Sequence, residues 1–283
     1  MIRVVIDSSC DLPDEFIKEK RIEVVPLYLR VGNKFLRDRM DIIPQESFDL
    51  MRKGYKLFTS QPTVSDFTRV YKKILSAGDE IITVLITGKG SGTVNVARIA
   101  MEEVSKDRIS IVDSTQISGG IGFVAKKIVS LIEQGLPREK ILSLVDRIIS
   151  NIHLFIALDT IKFTYAGGRV NDIKNFVTTV LNIKPILIMR DGLPRLLRVV
   201  RGRKKSLKFI TNLVLNKIKE ESKKFEIAFL HADSYEDVSK VREEILSRVK
   251  PEFEFTKIIG SALGVHAGPG ALGVCIYFRE EEL

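Results

Sequence analysis

The chain has 283 residues, 45% of them hydrophobic and 29% charged, and 45 Lys plus Arg against 36 Asp plus Glu give a formal charge of +9. This is ordinary globular composition, which excludes a disordered or collagen-like chain. The modest positive balance favours acidic partners or anionic surfaces without requiring nucleic acid.

At roughly 150 residues per domain, this length suits about two domains. Cys10 and Cys275 are the two cysteines, too few for a disulfide scaffold or a cysteine zinc site. No apolar run approaches the roughly 18 residues of a membrane span. Asp7 interrupts the first apolar run at once, so the start does not read as a secretory signal and a cytoplasmic protein is expected.

Taken in chain order, the first half alternates short β-branched runs with helical patterns. Val4 to Ile6 is a strand, and a helix is expected after Asp11 as N-cap, with Pro13 in its first turn. Glu23 to Val31 is a second strand, weakened by Pro26. Val64, Phe67, Val70, Tyr71, Ile74 and Leu75 share one helical face, and Gly78 stops that helix. Ile81 to Ile86 is a strand, then comes the glycine-rich segment Thr87 to Thr93 and a helix to about Val104. Ile109 to Val112 is a strand, followed by helices over Ile121 to Gln134 and Arg138 to Asn151. Such alternation predicts a three-layer α/β/α domain with a mainly parallel sheet over residues 1–152.

Residues 153–283 read as a second α/β domain with a mixed sheet. His153 to Leu158 is a strand and Tyr165 to Asn171 a glycine turn. Ile186 to Met189 and Leu196 to Val200 flank Arg190-Asp191-Gly192-Leu193-Pro194 as a hairpin. A helix is expected over Lys205 to Lys219, a strand over Glu226 to Leu230, a helix over Glu236 to Val249, and strands over Glu254 to Ile259 and Val274 to Phe278.

Ligands of parallel α/β sheets sit beyond the carboxyl ends of the strands. Here those ends carry small hydroxyls and glycines: Asp7-Ser8-Ser9, Thr59-Ser60-Gln61-Pro62-Thr63, Thr87 to Thr93, and Asp113-Ser114-Thr115. Each could simply cap a helix, but four together suggest a site for an anionic head group. Gly88, Gly90 and Gly92 make neither GxGxxG nor a Walker A loop. His153 and His231 read as structural strand-edge residues, and no metal-ligand spacing is present. Ser91, His266 and Asp113 would form a hydrolase triad only on paper, because no GxSxG elbow exists. His266 sits between glycines, Arg169 follows Gly167-Gly168, and Arg198, Arg201, Arg203, Lys204, Lys205 and Lys208 form a basic cluster. No aromatics interleave with that cluster, which argues against nucleic acid.

Seven short segments, in order along nearly the whole chain, resemble the DegV family of fatty-acid-binding proteins. They are Asp7-Ser8-Ser9-Cys10-Asp11-Leu12, Thr59-Ser60-Gln61-Pro62-Thr63, Ser91-Gly92-Thr93, Asp113-Ser114, Gly167-Gly168-Arg169-Val170, Leu181 to Leu187 with Asp191-Gly192, and His266-Ala267-Gly268-Pro269-Gly270-Ala271. The resemblance implies two α/β domains enclosing a long-chain fatty acid such as palmitate. It places the carboxylate at Thr59, Ser60, Ser91, Gly92 and Thr93, with Arg169, His266 and Gly268 in support. It further implies a carrier without activity of its own; a monomer is expected because a carrier must expose its docking face, and no cofactor or metal is expected. Such a carrier presents the acyl carboxylate to an ATP-dependent fatty acid kinase; Arg201, Arg203 and Lys204 of the basic cluster, a solvated face on the plain reading, are the expected docking surface. Departures are Gly90, where the family usually has a bulky apolar residue, Val94, where it often has an aromatic, and Tyr165-Ala166, where many members carry lysine. The alternative is a hydrolase or phosphotransferase acting on a small anion at the same strand ends.

Overall fold

The computed structural model describes residues 1–169 and 182–280. The first sheet holds β1 (Ile2–Asp7), β2 (Glu23–Val25), β6 (Glu80–Leu85) and β7 (Ile109–Asp113), all parallel, in the order β2-β1-β6-β7. Side chains of successive strand residues point to opposite faces. Val5, Ile81 and Leu85 therefore meet α3 (Val64–Ser76) and α4 (Thr93–Val104), whereas Val4, Ile6, Ile82 and Val84 meet α5 (Gly119–Glu133). α6 (Arg138–Ser150) packs on α5. The expected α/β/α layering with a parallel sheet is what the chain forms.

The second sheet is mixed and six-stranded: β8 (Ile152–Ala157), β9 (Ile183–Arg190), β10 (Leu193–Arg201), β11 (Phe225–His231), β12 (Phe253–Ile258) and β13 (Leu272–Phe278), in the order β10-β9-β8-β13-β11-β12. Only β11 and β12 pair in parallel; the other neighbours are antiparallel. The Asp191-Gly192 turn between β9 and β10 has φ of 52° and 75°, the left-handed pair of a tight hairpin. α8 (Arg203–Glu221) and α9 (Tyr235–Leu246) cover one face through Ile210, Val214, Val238 and Val241. The other face turns Leu154, Ala228, Cys275 and Tyr277 towards α5, where Phe123 packs against the rings of Phe255 and Tyr277. α5 is thus shared by both sheets, and the apolar core is continuous across it. Each large apolar side chain fully buried there contributes about 1.5–3 kcal/mol.

Several local expectations are corrected. The run Glu23 to Val31 is two strands, β2 and β3 (Tyr28–Val31), in different sheets. Pro26 has no N–H for the ladder, and the Leu27 N–H donates to Ser8 Oγ at 3.0 Å, which turns the chain away. β3 joins β4 (Lys34–Arg37) and β5 (Leu57–Ser60) in a small antiparallel sheet, with α2 (Pro44–Arg52) between β4 and β5. Pro13, not Asp11, caps α1 (Asp14–Glu19), because the Asp11 carboxylate is buried and used elsewhere. Residues 165–167 are not a glycine turn but the end of α7 (Lys162–Gly167), with Gly168 at φ 67° just beyond it. Val170 to Leu181 lie outside the described residues. A short helix, α10 (Ser261–Ala267), precedes β13.

Candidate functional site

In the order β2-β1-β6-β7, the connection from β1 runs to β2 on one side and that from β6 runs to β7 on the other, which opens a cleft at the carboxyl ends of β1 and β6. A cavity of about 260 Å³ lies there, between the loops of the first sheet and the inner face of the second. Its body is apolar: Leu154, Ile156 and Leu158 from β8 and its end, Leu187 from β9, Leu230 from β11, Ile259 and Ala262 beside and on α10, and Leu272 from β13. Leu193 and Pro194, just past the hairpin turn, complete the wall, and Thr87 Oγ1 donates to the Gly192 carbonyl at 2.7 Å to hold that turn in place.

Polar groups gather where β5 ends. Thr59, Ser60 and Gln61 line the cavity together with Ser91, Gly92, Arg169 and His266. Thr59 Oγ1 lies 2.8 Å from His266 Nε2. His266 Nδ1 is buried and has no hydrogen-bond partner among the described residues. Burial pushes the His266 pKa down to about 4, helped by the nearby Arg169 charge, so the ring is neutral near pH 7. Gly167 must be a glycine here, since a Cβ would come within 2.2 Å of His266 Nδ1. Thr164 Oγ1 donates to the His266 carbonyl at 2.9 Å, which braces α7 against α10. Arg169 is exposed and donates from Nη1 to the Gly167 carbonyl at 2.7 Å.

Ser91 precedes α4. Its Oγ is 2.8 Å from Thr93 Oγ1 and accepts from the Thr93 N–H at 3.3 Å. Gly92 is the N-cap, without a capping side chain, and Gln61 packs so close that a Cβ on Gly92 would sit 2.4 Å from Gln61 Oε1. Ser91 and Gly92 thus bring the N-terminal end of α4, the positive end of its dipole, to a polar mouth that favours an anion. Around this mouth the hydroxyls are neutral, the imidazole is neutral, and Arg169 is the single lysine or arginine among the described residues that line the cavity. The arrangement can hold a carboxylate or phosphate by hydrogen bonds, with an apolar tail running inward.

Thr59, Ser60, Ser91, Gly92, Arg169 and His266 thus come together, as the sequence suggested. Thr93 is fully buried and touches the cavity only through Ser91. Gly268 lies outside the lining; at φ 81° it ends α10, with Phe163 filling the space a side chain would need. Arg201 and Lys204 are exposed, but Arg203 is turned inward, its Nε 2.7 Å from Asp237 and its Nη2 donating to the Gly270 carbonyl at 2.7 Å. Gly90 lines the cavity, whereas Val94 is buried against α3 and the first sheet, away from it.

Two of the four polar strand ends are structural. Asp7 accepts from the Ser9 and Ile86 N–H groups at 2.9 and 2.7 Å. Asp38 accepts from Ser8 Oγ and the Ser261 N–H at 2.9 Å each, and Asp11 accepts from the Gly260 N–H at 2.9 Å, from Ser118 and from Arg39. Asp113 takes the Gly88 and Thr115 N–H groups at 3.1 and 3.0 Å, and Ser114 Oγ donates to the Leu85 carbonyl at 2.6 Å. A Ser91, His266, Asp113 triad is therefore not assembled: the histidine faces Thr59 and the aspartate serves backbone amides. His153 packs on the Phe278 ring, but His231, read from the sequence as structural, lines the cavity. Gln61 was read only as part of its polar segment, and sequence reasoning missed the Leu193-Pro194 wall, whose signal was the apolar pair directly after Asp191-Gly192.

The model of the DegV family, a family described as uncharacterised, matches residues 1–279. A DegV domain-containing protein of Caldanaerobacter subterraneus is 33% identical over 99% of both chains. Among solved structures, a DegV family protein from Thermus thermophilus described for its fatty acid binding superposes with TM-score 0.92 at 31% identity, covering 98% of this chain and 99% of that one. A stearic acid-binding protein from Eubacterium ventriosum gives 0.90 at 26% identity with both chains fully covered. A fatty acid binding DegV from Bacillus subtilis gives 0.87 at 25% identity, covering 98% and 99%.

Proposed function

This chain belongs to the DegV family, and from that premise we propose that it binds a long-chain fatty acid, carboxylate at the Thr59–Ser91 mouth and tail in the apolar body. The observation that carries this reading is one cavity with hydroxyls, a neutral imidazole and the exposed Arg169 at one end and aliphatic side chains along the rest. With His266 Nε2–H donating to Thr59 Oγ1, the threonine hydroxyl hydrogen is left to point at the ligand. The Ser91 hydroxyl supplies a further donor, and the positive end of the α4 dipole favours the carboxylate. At about 0.8 kcal/mol per buried CH₂, a long tail supplies roughly 10 kcal/mol, so the head group need not bind tightly.

A carboxylate held by neutral donors stays nucleophilic, whereas a buried salt bridge would stabilise its ground state. This favours a carrier that presents the carboxylate to an ATP-dependent fatty acid kinase, with the exposed Arg201 and Lys204 available for docking. Arg169 at the mouth and His266 behind it would serve that step. In this reading the chain works as a monomeric cytoplasmic subunit and carries no turnover alone. Native and then denaturing mass spectrometry tests the binding. A mass excess that is lost on denaturation, with release of a matching free fatty acid, is the expected result. No excess, even after incubation with fatty acids of several lengths, would overturn it.

A further inference from the structure

A glycine is required for one of two reasons: the backbone takes a positive φ, or a neighbour leaves no room for Cβ. Nine of the 19 glycines have positive φ. Of the other ten, eight would place Cβ within 3.1 Å of another atom, as at Gly88, Gly167 and Gly264. Two fit neither reason. A Cβ on Gly90 would meet nothing nearer than Thr87 Cγ2 at 3.4 Å, and one on Gly273 nothing nearer than Leu154 Cδ1 and the Phe155 carbonyl at 3.5 Å. These are ordinary contact distances. Both of these glycines line the cavity.

Gly273 is also badly placed for a glycine on backbone grounds. It lies in β13, between β8 and β11 in the middle of the six-stranded sheet. Glycine weakens a central strand, and one found there often marks a bulge, a bend, or the close approach of a backbone or a ligand. The register through Gly273 is regular, and the nearest backbone atom, the Phe155 carbonyl oxygen, would lie at an ordinary 3.5 Å from a Cβ, which leaves the ligand. Its neighbours Leu154 and Leu230 belong to the apolar body of the cavity, whereas Gly90 adjoins Ser91 at the polar mouth.

We propose that Gly90 and Gly273 are specificity positions whose side chains are absent to leave room for ligand. Gly273 sets the length of tail admitted, and Gly90 the clearance beside the head group. The inference rests on the acyl-binding reading above and adds where along the ligand each limit is imposed.

The test is the length profile of the delipidated full-length protein, measured by displacement of a fluorescent fatty acid with dodecanoic and octadecanoic acids, together with thermal denaturation of the ligand-free form. Gly273→Ala should keep or raise the melting temperature. It should weaken octadecanoic acid roughly four- to fifteenfold, the value of one or two methylenes refused entry, and leave dodecanoic acid unchanged. Gly90→Ala should weaken both acids by a similar factor. Unchanged profiles in both variants would overturn the assignment while leaving fatty acid binding intact. Equal loss for both acids in Gly273→Ala with a lowered melting temperature would also overturn it, marking a packing defect. Failure of the wild type to bind either acid would instead sink the reading on which the assignment rests.

Discussion

Two polar clusters behave differently in this molecule, one of fully buried carboxylates and one of half-buried hydroxyls and an imidazole. Around Asp7, Asp11 and Asp38, each carboxylate is matched by backbone amides, hydroxyls or Arg39, and the group ties β1 to the start of α10. Around Thr59, Ser91 and His266, hydrogen-bonding capacity is left over, with His266 Nδ1 buried and unmatched among the described residues. A buried polar group is stable only when its hydrogen bonds are made. Saturated carboxylates therefore mark the scaffold, even though the Ser261 hydroxyl beside them is unmatched among the described residues, whereas spare hydrogen-bonding capacity that lines a cavity suits a ligand.

The contrast breaks most visibly at Asp11. Asp11→Ala strands the Arg39 charge, along with the Ser118 hydroxyl and the Gly260 amide. The loss should be about 3–5 kcal/mol of stability in urea denaturation, with lipid stoichiometry per folded molecule unchanged. A variant that folds normally but releases lipid would place the carboxylate network inside the site instead.

His266 sharpens the contrast through pH. Its folded pKa lies near 4, below the ordinary 6.5, so the unfolded chain binds the extra proton first as pH falls through that window. The wild type therefore loses stability from this group on going from about pH 6.5 to 4, and His266→Gln does not. The difference between the two proteins should move by about 3 kcal/mol in favour of the variant across the window. Asp7 has the opposite sign: burial lifts it from 3.8 to about 6, so it recovers stability as pH falls across that range. A pH-independent difference between wild type and His266→Gln would show that the ring is solvated.

The smallest effect on the fold is expected at the mouth. Thr59→Ala combined with Ser91→Ala should weaken fatty acid binding by about 3–6 kcal/mol, two hydrogen bonds to a charged group at about 1.5–3 kcal/mol each, and cost less than about 1 kcal/mol of stability. Isothermal titration and denaturation of the same preparation check both numbers. Unchanged affinity would contradict the head-group assignment.

The sequence carried the parallel sheet, the mixed sheet and most helices, because long amphipathic runs such as Val64 to Leu75 and hairpin chemistry such as Asp191-Gly192 act locally. It failed where one residue serves a distant partner. Asp11 has the sequence look of an N-cap but is spent on Gly260, and Pro26 divides one apolar run between two sheets. The polar mouth was legible in its hydroxyls and glycines. Which strand ends would be scaffold and which would line the cavity was not, since Asp113-Ser114 and Thr59-Ser60 look alike until their partners are known. His231 was missed for the same reason: a strand-end histidine shows its cavity face only once β11 is paired with β13.

The position of β13 also has a consequence for the order in which the molecule is made. The ribosome finishes β8 and β11 before β13 exists, yet β13 must lie between them. Until it emerges, the nascent chain holds two strands with unpaired inner edges and an α5 whose outward face lacks Cys275 and Tyr277. Leu272 and Gly273 reach the cavity wall with the same strand. The enclosing pocket is therefore completed only at that late step of synthesis, and a ligand can be enclosed only after the polypeptide has been built this far.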